Sequence, residues 1–492
     1  MRHTKGREGN RAKDGLQEID FAEVLGLFRD CDDVTHQMLT AGDTYTLKLV
    51  FCQGLYDKRK YDTILIPSLK SILEQRRGGR MKFDDFKEKL EIPPQTVTQI
   101  DELIPRVFNG EVFVHINNRI FFSVDISDHP KRLPQDPNTE ISIKGARDGF
   151  VEEIGVNIAL IRKRLRSNSL ICKSYIIGER TQTKIALMYV DDLIRKGTKD
   201  DIQTRLSAIK IDGILSSNQL MELLSDNGLD ILPILDYTGR PDFAVDCLLR
   251  GRFLILIDGT PTIAIGPGNL TLLFKSAEDS EYNFIYNSFE RLMRIGGLFV
   301  STFLPGIWIA LITIHQDQIP FTLLAVLVES RRGVPLPSAF EAIIMMLLFS
   351  LFREAGLRLP VTIGQTLSVI GGLIIGDAAI RAGLTNPAML VVIATSEVAT
   401  YTLVNQSLTG VISVYRFIVI ILAGSLGFWG VFLSIALALI YTAQLRAFGV
   451  PYLAPFLLED PKGLWNTFLR LPWKMNKTRP QFLEPKDPTK QE

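Results

Sequence analysis

Along the first 290 residues, apolar positions alternate or recur at helical spacing among charged ones, whereas Gly296 to Leu445 is mostly apolar. The first pattern predicts a water-soluble head whose elements each bury one face, and the second a set of membrane helices behind it. In the head, Tyr45, Leu47 and Leu49 fall on one side of a strand leading into Val50 and Phe51, and a helix is expected over Thr63 to Gln75. Glu111 to Asp125 reads as a hairpin turning at Asn117–Asn118, an amide pair suited to a tight turn. A proline-bearing run, Ser127 to Thr139, separates this half from a second. There, helical patterns cover Gly149–Arg166, Lys199–Ile209 and Asn218–Ser225, and strand patterns cover Ser169–Gly178, Lys184–Val190 and Arg252–Ile257.

Strands alternating with helices imply an α/β cytoplasmic head of two subdomains, 41–135 and 136–290, followed by an α-helical polytopic membrane domain over 291–445 and a basic cytoplasmic tail over 446–492. Residues 1–40, polar and rich in Lys, Arg, Asp and Gly, are expected to form a flexible arm. No internal repeat at a fixed period is present.

A spanning helix needs ~20 apolar residues to cross a ~30 Å hydrocarbon core. Gly296–Ile314, Val361–Ile380, Met389–Val404 and Phe417–Tyr441 are the best candidates. Ile319–Val328 and Ala342–Phe352 reach only ~16 Å as helix, so four to six membrane segments are expected. Arg291 and Arg294 before the first span put the head inside, the His315–Gln318 connection carries neither Lys nor Arg and suits the outside, and Arg331–Arg332 mark a return inward. The tail, with Lys462, Arg470, Lys474 and Lys477, is expected inside as well. Met1 to Asp33 is a mixed-charge stretch without an apolar h-region, so the head is expected to stay cytoplasmic.

Charge narrows the function class. With 55 Lys and Arg against 54 Asp and Glu, the chain has no basic stripe for nucleic acid. Cys31, Cys52, Cys172 and Cys247 lie far apart without metal-ligand spacing, so reduced, buried thiols are expected, with no metal site and no cofactor. The string ILIDGTP resembles the D-x-D-G-T motif of haloacid dehalogenase phosphatases, but Leu256 stands at the nucleophile position. A buried strand closed by an Asp258–Gly259 turn is the better reading, and no catalytic role is expected.

Four features carry candidate function. Gly364, Ser368, Gly372 and Gly376 recur every four residues and form a small-residue ridge, fit for close helix packing within the chain, between subunits or along a narrow pore. Glu397 lies in an apolar stretch with no cation within one helical turn, where a carboxylate costs ~2.5–3.5 kcal/mol unless paired or wet. Asp377 has Arg381 four residues on, and an i,i+4 ion pair accounts for it. Arg353, Glu354, Gly356 and Pro360 end a short apolar segment, as in a half-spanning helix that breaks at a pore vestibule or an amphipathic helix in the interface. Arginine at a pore mouth would repel cations. In the head, Arg147, Asp148, Glu152 and Glu153 precede Arg162, Arg164 and Arg166, a charge order that suits a helix dipole or an inter-subunit surface.

Several longer strings are shared with one family. They are GARDGFVEEIGVNIALIRKRLR at Gly145–Arg166, GRPDFAVDCLLRGRFLILIDGTP at Gly239–Pro261, REAGLRLPVTIGQTLSVIGGLIIGDAAIRAG at Arg353–Gly383 and FGVPYLAPF at Phe448–Phe456. In these the chain, from about Thr44 to Leu458, resembles the A subunits of bacterial spore germinant receptors, the GerA family. The resemblance implies a multi-pass receptor subunit in the inner spore membrane, partnered by a B-type transporter-like subunit and a C-type lipoprotein subunit. It also implies nutrient binding on the B subunit and a homo-oligomer of A subunits, a pentamer, acting as an ion channel. The chain departs from the family pattern at Met346 and Ser350, where acidic residues are usual, and at Gly239, Val404 and Glu397. Competing readings are a secondary transporter subunit and a membrane scaffold without a pore.

Overall fold

The computed structural model describes residues 20–41, 45–75, 83–97, 99–117, 120–128, 145–225, 230–358, 376–456, 465, 467–475 and 477–490. The first half of the head contains α1 (Phe21–Leu27), β1 (Val34–Ala41), β2 (Tyr45–Cys52), α2 (Ile66–Gln75), α3 (Phe83–Lys89), β3 (Pro94–Thr96), α4 (Leu103–Val107), β4 (Glu111–Ile116) and β5 (Ile120–Asp125). Its sheet has the order β1-β2-β4-β5-β3, with each neighbouring pair antiparallel. The expected hairpin is β4–β5, and Asn117 at its turn takes a φ of +48° while its side-chain oxygen accepts from Thr46 N at 2.7 Å. One expectation is overturned. Residues 21–40 do not belong to a flexible arm but form α1 and most of β1, because β1 covers the edge of β2 and Phe21, Val24 and Phe28 are buried in the head core.

The second half contains α5 (Ile154–Arg164), β6 (Leu170–Ile177), β7 (Thr183–Val190), α6 (Lys196–Ala208), α7 (Ser217–Leu224), β8 (Asp236–Thr238), α8 (Pro241–Leu249), β9 (Phe253–Ile257), β10 (Ile263–Gly266) and α9 (Leu270–Leu273). Its sheet, ordered β6-β7-β9-β10-β8, is again antiparallel at every pairing. The α/β layering follows the sequence pattern, but neighbouring strands pair as antiparallel ladders rather than through parallel crossovers. Asp258, in the ILIDGTP turn, accepts from Ile154 N at 3.1 Å and so caps the start of α5.

The two halves are not separate bodies. One apolar core contains Val50 and Phe113 from the first sheet, Leu187 and Ile255 from the second, and Phe448 from beyond the apolar helices. Across the same boundary Arg162 of α5 donates to both carboxylate oxygens of Asp33, at 2.6 and 2.8 Å. Arg162 is therefore a buried strut between halves, a role that neither the helix-dipole nor the inter-subunit reading of its charge order gives it.

Behind the head run α10 (Phe284–Thr313), α11 (Phe321–Ser330), α12 (Ser338–Arg358), α13 (Pro387–Thr400), α14 (Gln406–Leu426) and α15 (Phe428–Gln444). Among the described residues, α10 and α14 are long and apolar enough to cross a membrane. Three expectations change here. Phe417–Tyr441 is not one span: Gly427, at φ +63°, ends α14 and begins α15, and at Gly430 a Cβ would collide with the Leu422 carbonyl oxygen. The apolar stretch Ala342–Phe352 lies inside the 21-residue α12, which passes through Arg353, Glu354 and Gly356 without a break, because its polar ends continue the helix. Pro360 lies outside the described residues.

Arg331 and Arg332 do not mark a return to the head side. Arg331 shares a small cleft with Gln316 at the end of α10 far from the head, because the 10-residue α11 between them is too short to cross. The tail does return to the head: Arg479 donates to Leu249 O at 2.9 Å, and Lys486 N to Leu193 O at 3.1 Å.

Candidate functional site

Apolar helices in lipid gain little from burying one another, so the polar side chains they bury carry most of the information about what the bundle does. Among the described residues, one such group lies between α12, α13 and α14. Arg416 of α14 is fully buried, and its guanidinium donates to Glu397 Oε1 of α13 at 2.9 Å, to Ser396 Oγ at 2.6 Å and to Thr400 Oγ1 at 3.3 Å. From α12, Arg353 stands 3.9 Å from the other Glu397 oxygen and 3.4 Å from Ser413 Oγ. One carboxylate thus lies between two cations from different helices, and among the described residues Arg416 Nε has no hydrogen-bond partner.

Helical spacing builds this arrangement. Ser396, Glu397 and Thr400 occupy neighbouring positions on one face of α13, and that face meets the middle of α14. Close packing brings the helices to this distance. Gly306 of α10 lies where a Cβ would sit 2.6 Å from Val419 Cγ1 of α14, and Gly297 faces Thr402 after α13. Ser396 Oγ also contacts the Ser301 carbonyl of α10 at 3.4 Å, linking a fourth helix.

A second buried carboxylate lies nearer the far end. Glu341 of α12 accepts through one oxygen from Thr385 Oγ1, Asn386 N and Asn386 Nδ2, at 2.7 to 2.8 Å, and so fixes the loop that starts α13. At the head side, Asp279 pairs with Arg291 at 3.0 Å and Arg294 at 2.8 Å of α10. Asn405, which caps α14, donates to Asp236 of β8 at 2.5 Å. Burial pushes the Asp236 carboxyl up to about 6, against the pull of that hydrogen bond.

The sequence-predicted residues divide sharply. Glu397 and Arg353 meet in one cluster, whereas Glu354 is exposed and Gly356 lies one helical turn beyond Arg353. Asp377 and Arg381 form the expected pair at 2.8 Å on an exposed surface. Gly376 packs against Leu390 of α13, and the other ridge positions, Gly364, Ser368 and Gly372, lie outside the described residues. Arg416 was not singled out from the sequence. Its signal was present, as a lone arginine inside an otherwise apolar run. The four cysteines are buried free thiols, and no group of His, Cys, Asp and Glu able to hold a metal occurs among the described residues.

Comparison with known proteins extends over both parts of the molecule. The family model described as Bacillus/Clostridium GerA spore germination protein matches residues 22–482. Spore germination protein XA of Bacillus anthracis is 42% identical over 479 residues, covering 96% of this chain and 97% of that protein. Spore germination protein GerLA of Bacillus cereus is 32% identical over 480 residues, with 96% and 97% covered. Among solved structures, the N-terminal domain of the A subunit of the Bacillus megaterium spore germinant receptor GerK3 aligns with a TM-score of 0.40 and 22% identity, over 52% of this chain and 98% of that one. A match that begins within α1, runs through the apolar helices and ends in the docked tail shows that the chain belongs to the GerA spore germination protein family.

Proposed function

We propose that this chain is an A-type subunit of a nutrient germinant receptor in the inner spore membrane, with head and tail toward the spore core. It works with a B-type transporter-like subunit and a C-type lipoprotein subunit, has no catalytic role, and oligomerises into a ligand-gated ion channel that starts germination. The observation that carries the receptor reading is the unbroken family match over residues 22–482. The Glu397–Arg416–Arg353 cluster supports a conformational role for the bundle, since buried charges between membrane helices concentrate at moving or conducting parts.

In this reading the cluster is a clamp. At rest Glu397 neutralises Arg416 and ties α13 to α14. A nutrient signal from the partner subunit favours an arrangement in which Glu397 passes to Arg353 of α12, and the shift is bounded by the nutrient's differential affinity for the two states. A carboxylate held between arginines is not a free cation ligand, so Glu397 acts by moving helices rather than as part of a filter.

Deletion of the gene tests the receptor reading. Dormant spores lacking the chain, in a strain without redundant receptors, should lose the response to one set of nutrients while vegetative growth is unchanged. Normal germination with every nutrient would overturn the reading. Cation flux through purified protein in liposomes tests the channel. Saturable counterflow would indicate a transporter, and absence of flux a scaffold.

A further inference from the structure

Head, membrane helix and tail meet around one cavity of about 190 Å³. Its walls come from α8, the segment after α9, the first turns of α10 and the returning tail. Six cations line it, Arg250, Lys275, Arg291, Arg470, Arg479 and Lys490, against four carboxylates, which leaves an excess of positive charge. Three of those carboxylates are already engaged: Asp242 with Arg240 at 2.6 Å, Asp246 with Arg250 at 2.5 Å, and Asp279 with Arg291 at 3.0 Å. Arg479 has its own acid outside the wall, Asp487, at 3.0 Å.

Lys275 is different. Its backbone N donates to Leu272 O at 2.9 Å, but among the described residues its ammonium makes no hydrogen bond and no ion pair, although the residue is partly buried at the cavity wall. Burial, then the nearby Arg250, Arg291 and Arg252 guanidiniums, hold its ammonium well below the usual lysine range. Lys490 is lowered too, by burial and, against the pull of Asp246, by Arg250 and Arg479. An ammonium set among guanidiniums in a cavity is a cost that an anion would remove, and arginine forks match phosphate oxygens in geometry. The tail completes the site, because Arg470 donates to the Ser280 carbonyl at 3.1 Å and its backbone N to Ser288 Oγ at 3.0 Å.

We propose that this cavity binds a phosphate-bearing anion through Lys275, Lys490 and Arg470. The volume is below the ~300 Å³ at which sites for drug-sized ligands begin, so it suits a phosphate with a small substituent rather than a whole nucleotide. Two sources share this chemistry. The outward faces of Phe284, Ile285, Phe289, Leu292 and Met293 at the start of α10 are exposed and apolar, which sets the cavity at the level of a membrane surface and within reach of an anionic lipid headgroup. A soluble phosphate compound would reach it from the water side. Either ligand would tie the tail to the start of α10, and the site does not depend on whether the chain conducts ions.

The test uses the purified full chain. Calorimetric titration with inorganic phosphate should show saturable binding, weakened about ten-fold by Lys275→Gln and by Lys490→Gln, the loss expected for one charge-assisted hydrogen bond. Lys210→Gln, at an exposed head position away from the cavity, should bind as the parent does. Native mass spectrometry after reconstitution in nanodiscs of phosphatidylcholine with or without phosphatidylglycerol separates the sources. Phosphatidylglycerol retained by the parent and lost from Lys275→Gln identifies a headgroup, whereas phosphate binding with no retained lipid identifies a soluble ligand. The proposal is overturned if neither phosphate nor phosphatidylglycerol binds, or if both cavity variants, folded with the parent's melting temperature, bind as tightly as the parent.

Discussion

In the head, Arg162 gives Asp33 two hydrogen bonds of 2.6 and 2.8 Å, a third to the Ser167 carbonyl at 3.2 Å, and lays its guanidinium carbon 4.1 Å from the centre of the Phe108 ring. In the bundle, Arg416 shares a single nitrogen between Glu397 and Ser396, finds no partner for Nε among the described residues, and competes with Arg353 for the same carboxylate. Both pairs are buried and both join separate parts of the chain. The first is bidentate and matched one to one, which is the arrangement of a fixed lock. The second has two cations for one acid and incomplete hydrogen bonding, so a small helix shift can change which arginine is neutralised.

Breaking the head lock should have the largest effect. Asp33→Ala leaves Arg162 buried without its acid, a loss of about 3–5 kcal/mol, and should greatly reduce folded full-length protein, measured as detergent-soluble monodisperse yield and melting temperature. Replacing both residues by apolar ones of similar volume should be milder.

Between lock and clamp lies the junction through Asp236. Its carboxyl, raised from 3.8 to about 6 by burial, binds its proton more tightly in the folded state than in the unfolded chain. Its stabilising contribution is therefore fully present below about pH 4, declines as pH rises to about 6, and is absent above that. The difference is on the order of 3 kcal/mol. Melting temperature followed across this range should fall with increasing pH more steeply in the parent than in Asp236→Asn. Equal slopes would remove this residue from the junction's pH response.

Packing can be separated from charge at the turn between α14 and α15. Gly430→Ala puts a methyl group against the Leu422 carbonyl and should cost about 1–3 kcal/mol, with the cluster's residues unaltered. The exposed Asp377–Arg381 pair sets the baseline. Asp377→Asn should change melting by no more than about 0.3–0.5 kcal/mol, and a larger loss would mean that the surface it occupies is covered in the assembly.

The division into head and bundle was legible in hydropathy alone, as were the β4–β5 hairpin and, in the second half, α5, β6, β7, α6, α7 and β9, whereas the short β8, β10 and α9 and the helix α8 gave no separate signal. Residues 21–40 read as an arm because α1 and β1 carry exposed polar residues such as Glu23 and His36, and only pairing with β2 reveals the strand. Helix breaks in the bundle were harder. Hydropathy is continuous through Gly427, where the turn depends on a backbone angle, and it falls at Arg353, where α12 continues. In the site, Glu397 stood out because a lone acid in an apolar run is expensive. Its cations lie 19 residues later and 44 residues earlier, on other helices, and no local spacing rule connects residues that meet only through tertiary packing.

A double-mutant cycle on Glu397 and Arg416 measures that meeting directly. Glu397→Gln, Arg416→Gln and the double variant would be compared by thermal unfolding of the full chain in nanodiscs, with potassium release from spores carrying each variant as a second readout. The clamp predicts that each single substitution destabilises the chain and disturbs release, while the double is no worse than either single, a coupling of at least about 1.5 kcal/mol. Additive losses, within about 0.5 kcal/mol, together with normal release from both single variants, would contradict it.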